Sequence, residues 1–173
     1  MAGLLYRLAL QVYRRLPAGL RRRAVRAMSP SFTVGAMCFI ERPDGALLLV
    51  RHSYRERWGV PGGLLQKGED AEDGARREVR EEVGLVVELL GEPAVVVDAH
   101  PQRVDVVFRA HPASGADTEP DVAASAEILE ARWFAPDALP ELQFETAGAL
   151  VALARIATSA GQRPLPEPVW PRF

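Results

Sequence analysis

The chain has 173 residues, 48% hydrophobic and 25% charged, with a formal net charge of −2; this is the composition of one ordinary soluble globular domain with a sizeable core, not of a disordered chain. A single cysteine, Cys38, sits in an apolar run; it excludes an intramolecular disulfide and suits a reducing compartment, so a cytoplasmic protein is expected. The small net charge hides an asymmetry: seven of the 21 basic residues are arginines within residues 1–30, where there is no acid, so the rest of the chain sets 14 basic residues against all 23 acidic ones.

Residues 3–15 read as an amphipathic helix, with Leu4, Leu5, Leu8 and Val12 near one face and Arg7, Arg14 and Arg15 elsewhere. Pro17 stops it, and Leu20 to Met28 form a second short helix. Arg7 interrupts the apolar stretch and no small-residue cleavage site follows, which argues against a signal peptide. The segment is also too short and too charged to span a bilayer. Three roles are open for this basic extension. It packs on its own domain or on the partner of a homodimer, it lies on an anionic membrane surface through residues 1–28, or it adds positive potential near an anionic substrate.

Phe32 to Glu41 is strand-like, Asp44-Gly45 is a hairpin signal, and Ala46 to Arg51 returns as a second strand. Arg51 to Arg57 is a basic loop, and loops on rigid scaffolds carry binding groups more often than their share. Arg51, Arg55 and Arg57 are therefore candidates for phosphate contacts, with solvated loop arginines as the alternative. His52 reads as a loop hydrogen-bonder rather than a ligand. Trp58 is placed either to stack on a base or to plug the Pro61-Gly62-Gly63 turn.

Beyond that turn, Asp70 is a helix N-cap, and Asp73 three residues on gives a capping-box-like pair. A helix is predicted over Ala71 to Val83, with Gly84 where a left-handed C-cap is wanted. On it Glu78, Glu81 and Glu82 share one face at spacings of three and four. Charge runs are most often a solvated face. Carboxylates this close repel, and a hard divalent cation with oxygen ligands relieves the repulsion.

The spacing decides between these readings. From Gly63 to Leu85 the chain reads Gly-x5-Glu-x7-Arg-Glu-Val-x-Glu-Glu-x-Gly-Leu, and this resembles the Nudix box at all nine defined positions over twenty-three residues. The resemblance includes Trp58-Gly-Val-Pro-Gly-Gly63 and extends more loosely over residues 32 to 158. It implies an enzyme that cleaves a nucleoside diphosphate linked to another moiety, with Mg2+ or Mn2+. By the same resemblance Glu78 and Glu82 are metal ligands, Glu81 is a ligand directly or through water, and the Gly63 carbonyl adds an oxygen. Arg77 orients the carboxylates together with Glu69; a salt bridge tying loop to helix is compatible with that role. The general base is Glu78 or an acid of a later loop, Glu127 or Glu130, either of which also reads as an exposed strand-edge acid. The partner is a nucleotide-derived small molecule, not a nucleic acid.

After the box, strands are expected at Leu85 to Leu90, Ala94 to Ala99, Val104 to Ala110 and Ile128 to Phe134, with a surface loop over 111–125. Pro136 to Pro140 is a turn or short helix, and Phe144 to Thr158 an alanine-rich helix. The tail, Gly161 to Phe173, holds four prolines and either drapes over the domain or is disordered. The expected fold is an α/β/α sandwich of Nudix type with a mixed central sheet. It spans 31–160, between the helical extension (1–30) and the tail (161–173).

Pro101 lies sixteen residues beyond Leu85. That resembles the spacing of members cleaving ADP-ribose and nucleotide sugars, although His100-Pro101-Gln102 also reads as a plain turn. Hydrolysis of an oxidised nucleoside triphosphate is the alternative. A non-catalytic sensor on this fold is the rival class; it is expected to have lost box glutamates, and none is lost here.

Overall fold

In the computed structural model the chain forms two compact units, residues 1–32 and 33–173. Residues 2–123 and 125–172 are described, apart from the side chains of 2–5, 8 and 12. The first unit is a pair of helices, α1 (Ala2–Arg15) and α2 (Ala18–Met28). Pro17 occupies the N-cap position of α2, and the Ser29 N–H closes its far end on the Val25 carbonyl. The apolar face expected from Leu4, Leu5, Leu8 and Val12 lies outside the described side chains.

The second unit contains β1 (Thr33–Ile40), β2 (Leu47–His52), β3 (Gly62–Leu64), α3 (Ala71–Val83), β4 (Val87–Asp98), β5 (Arg103–Pro112), β6 (Ile128–Phe134) and α4 (Phe144–Ser159). A four-stranded sheet runs β3-β1-β5-β4, and β2 and β6 form a two-stranded antiparallel sheet. β1 and β5 are parallel while the β1–β3 and β4–β5 pairs are antiparallel, so the sheet is mixed, as expected.

β1 explains the layering. Ala36, Cys38 and Ile40 join one apolar cluster with Val79 and Val83 of α3, while Met37 and Phe39 join another with Leu150 and Leu153 of α4. Successive side chains of a strand point to opposite faces, so a strand covered on both faces reads as a continuous apolar run. β2 divides in the same way, Leu47 and Leu49 to one cluster and Leu48 and Val50 to the other. Val79, Val83 and Leu150 are wholly buried, each worth roughly 1.5–3 kcal/mol relative to exposure. Burial pushes the Cys38 thiol up to about 12, so it stays protonated and unreactive.

Four expectations need correction. The Asp44-Gly45 turn is present, with Gly45 N–H on the Arg42 carbonyl and Arg42 N–H on the Ala46 carbonyl. It joins strands that diverge into different sheets, however, with a bridge between Glu41 and Leu47 at their root. The Gly62-Gly63 turn opens directly into β3, pairing Met37 with Gly62 and Gly35 with Leu64. The two strands expected over 85–99 are one, β4, with a register shift between Leu90 and Ala94 and left-handed Gly91 (φ 63°) inside it. β5 runs on to Pro112, so the following loop starts later.

The tail drapes over the second unit. The Val169 carbonyl accepts from Leu142 N–H, the Arg163 carbonyl accepts from Arg109, and the Arg163 guanidinium donates to the Pro43 carbonyl. Leu165 is buried and belongs to the α4 cluster.

Candidate active site

α3 begins and ends where its sequence says. The Asp70 carboxylate accepts the Glu72 N–H at 3.3 Å, and Gly84 caps the other end at φ 68°. Asp73 lies 3.8 Å from Arg76 Nη1, an i,i+3 ion pair. One face of α3 buries Ala75, Val79 and Val83 against β1 and its neighbours. That docking fixes where the carboxylates go.

Glu82 is only 6% exposed. Its Oε2 accepts the Gly62 N–H at 3.0 Å, and its Oε1 lies 3.6 Å from Nε2 of His52. The carboxylate of Glu78 rests on the bare Cα of Gly63: a Cβ there would meet Oε1 at 2.6 Å and Cδ at 2.7 Å. The missing Cβ at 63 leaves the room this carboxylate occupies. Arg77 is the hub. Its Nε and Nη2 donate to the two oxygens of Glu69 at 2.8 and 2.9 Å, and Nη2 also to the Leu64 carbonyl. Its Nη1 donates to Glu78 at 2.7 Å and to Glu81, which is mostly exposed, at 3.0 Å.

The electrostatics follow from this geometry. The Arg77 guanidinium, helped by the Gln66 N–H, holds the Glu69 carboxyl at about 2, and Arg77 is itself held above its ordinary value, chiefly by Glu69. Burial raises Glu78; Arg77 opposes the rise, while Glu82 and Glu81 add to it. A carboxyl whose folded-state value is depressed stabilises the fold above its unfolded-state value, and that contribution is lost as pH falls. The Glu69 contribution is thus expected to fade between its ordinary 4.5 and about 2. Glu69→Gln should flatten the fall of the urea midpoint across this window; parallel curves for the two proteins would contradict the tie between loop and helix.

Among the described residues no three acidic, histidine or cysteine side chains converge on one point. Arg77 draws Glu78 and Glu81 to itself, and the Gly62 N–H holds Glu82. The donors nevertheless fit a hard divalent cation. They are carboxylates carried on one helix face, the Glu78 carboxyl raised by burial and by its acidic neighbours against the pull of Arg77. Glu78 and Glu82, with Glu81 and the Gly63 carbonyl, are the candidates to hold it.

Of the other expected residues, Arg55 lines a narrow cleft with His52, Tyr54 and Gly62, 3.5 Å from Glu145. Arg51 is paired with Glu130 of β6, and Arg57 with Glu141 and the Arg172 carbonyl. Trp58 sets its ring edge-on to Phe134 at 4.9 Å and packs on the α4 core. These three anchor the loop that carries Arg55. Glu130 also pairs with Arg132. Glu127 is exposed at the start of β6; its carbonyl accepts the Ser53 N–H, and its charge, like that of Glu82, acts on the Tyr54 hydroxyl.

Sequence reasoning missed Arg103 and Gln143. Arg103 lines the cleft, and its guanidinium grips the buried Asp105 at 2.8 Å. A Cβ on Gly35 would meet Asp105, Arg103 and the Gly63 carbonyl, all within 2.9 Å. Gln143, ahead of α4, lies 3.4 Å from Nδ1 of His52 and donates to the Arg57 carbonyl, so it ties the basic loop to His52. The only local signal was the Arg103-x-Asp105 spacing, which puts both on one face of a strand.

A family model described as NUDIX domain matches residues 31–154. The chain belongs to the Nudix family. It is 33% identical over 116 residues to a MutT-like protein of Streptomyces ambofaciens, which covers 67% of this chain and 72% of the relative. It is 38% identical over 88 residues to the oxidized purine nucleoside triphosphate hydrolase of Mus musculus, 49% of this chain and 53% of the relative, so it spans about half of that protein. The crystal structure of a MutT NUDIX hydrolase from Burkholderia pseudomallei matches with a TM-score of 0.59 at 30% identity, over 72% of this chain and 99% of that one. The protein is thus a Nudix hydrolase, an enzyme of the class that acts on phosphorus-containing anhydrides, and Nudix hydrolases generally use a divalent metal.

Proposed function

We propose that this Nudix hydrolase uses Mg2+, or Mn2+ in its place, to hydrolyse a phosphoanhydride bond in a purine nucleoside triphosphate or diphosphate, with oxidised purines preferred. The observation that carries the reading is the pairing of a buried Glu82 with Glu78 against the Gly62-Gly63 backbone. When bound, the cation neutralises phosphate charge and lowers the pKa of a water. Glu78 and Glu82 would hold it, with Glu81 and the Gly63 carbonyl as further donors. Arg77, fixed by Glu69, keeps the carboxylates in place. Glu78 would accept the proton of the attacking water, with Glu127, beyond Tyr54, as the alternative acceptor. Arg55 and Arg103 face the phosphates across the cleft. Arg51, Arg57 and Trp58 serve the substrate indirectly, through the loop.

The preference for oxidised purines is supported by the named activity of the mouse relative. A nucleoside diphosphate joined to a second moiety, of the ADP-ribose or nucleotide-sugar kind, is the second reading, favoured by the position of Pro101. That proline sits in the turn between β4 and β5, where Gln102 adopts φ 52° and its carbonyl accepts the Thr33 N–H. The turn gives the proline a structural reason of its own. A panel of nucleoside triphosphates, their 8-oxo forms, ADP-ribose and nucleotide sugars, assayed with Mg2+ and read by product, decides. We expect kcat/KM for an 8-oxo purine nucleotide to exceed that for ADP-ribose by about tenfold or more. The reverse order would move the assignment to the second reading.

A further inference from the structure

No residue of the site described above belongs to residues 1–32, and the helix pair there has chemistry of its own. α2 buries none of its residues. Tyr6, Leu10, Val25 and Met28 are 66, 43, 48 and 87% exposed. With Tyr13 and Leu16 they line an apolar groove shared by the two helices. On α1 the positions Tyr6, Leu10 and Tyr13 fall at i, i+4 and i+7, and on α2 Val25 and Met28 fall at i and i+3, so each helix gives one stripe to the same groove. Arg21, Arg22 and Arg26 border a second hollow beside Tyr13 and Val25. The segment has seven arginines and no acid, and among the described residues none of the seven forms an ion pair.

We infer that α1 and α2 dock this enzyme on an anionic membrane surface. The apolar groove is laid into the boundary between headgroups and acyl chains, and the arginines pair with acidic headgroups. Charge complementarity selects this occupant. The helix pair of a second copy brings seven more arginines and no acid, so a symmetric contact through this face is opposed by like charge. A nucleic acid satisfies the arginines but leaves the Leu10–Val25–Met28 stripe wet. An anionic bilayer satisfies both. The helices lie on the surface rather than cross it: among the described residues no helix is long and apolar enough to span a membrane.

The test uses the full chain and vesicles of phosphatidylcholine with or without about 30% phosphatidylglycerol, separated by flotation at low and high salt. We expect the bound fraction to rise about tenfold with the anionic lipid and to fall at high salt as the charges are screened. Leu10→Glu with Met28→Glu, and separately Arg21→Glu with Arg22→Glu, should each abolish most of that binding. Both should keep the helical circular dichroism signal and hydrolysis in solution. Binding that ignores both pairs of substitutions, or that is equal on neutral vesicles, overturns the inference. So does a concentration-dependent dimer in lipid-free light scattering that Leu10→Glu with Met28→Glu dissolves, which would give the face to a second copy.

Discussion

Glu82→Gln is expected to lower kcat by about 100-fold or more while leaving the unfolding midpoint nearly unchanged. The side chain is 6% exposed and its Oε2 accepts the Gly62 N–H. Glutamine keeps the volume and can still offer a carbonyl to that N–H, and its amide can face His52. What it removes is the buried charge, the property that suits the residue to hold a cation. Glu81→Gln is the built-in comparison. Its carboxylate is 59% exposed and shares Arg77 with Glu69 and Glu78, so a smaller loss is expected. A Glu82→Gln enzyme that turns over within about threefold of wild type would remove Glu82 from the ligand set.

Gly62→Ala is expected to cost about 2–4 kcal/mol of stability and most of the activity together. A Cβ at 62 would lie 2.3 Å from the Ala36 carbonyl oxygen and 2.9 Å from the Met37 Cα, both backbone atoms of β1. Neither can step aside without opening the β1–β3 pair, and the same movement withdraws the N–H that holds Glu82. Gly63→Ala separates the two effects. The atoms nearest its Cβ would be those of the Glu78 carboxylate, the end of a side chain, so the fold should survive while the carboxylate is displaced and kcat falls. Urea midpoints measured beside kcat distinguish the cases; a Gly62→Ala protein with a wild-type midpoint would contradict the packing described for β3.

The box helix was legible because its signals are local. Asp70, Gly84 and the apolar positions at Ala75, Val79 and Val83 all lie within α3 or at its ends, and the structure returns the expected limits. β1 and β2 were legible as apolar runs, but their separation into two sheets was not, since a tight turn leaves the same trace whether or not the strands beyond it pair. β3 was missed because Gly62 and Gly63 have no side chains to show an alternation. The Arg51, Arg57 and Trp58 placements turned on Glu130, Glu141 and Phe134, partners some eighty residues away that only the fold brings close. Arg103 and Gln143 reach the cleft by the same long-range route.

In the proposed mechanism the Glu78, Glu81 and Glu82 carboxylates act by holding a divalent cation. Exhaustive chelation with EDTA followed by titration of Mg2+ or Mn2+, on the best nucleotide of the panel and with products identified, tests it most directly. Turnover should disappear on chelation and return in full with Mg2+ in the wild-type enzyme, and should not return in Glu82→Gln at the same concentration. Turnover that survives complete chelation, or that Mg2+ restores equally in both proteins, would contradict it.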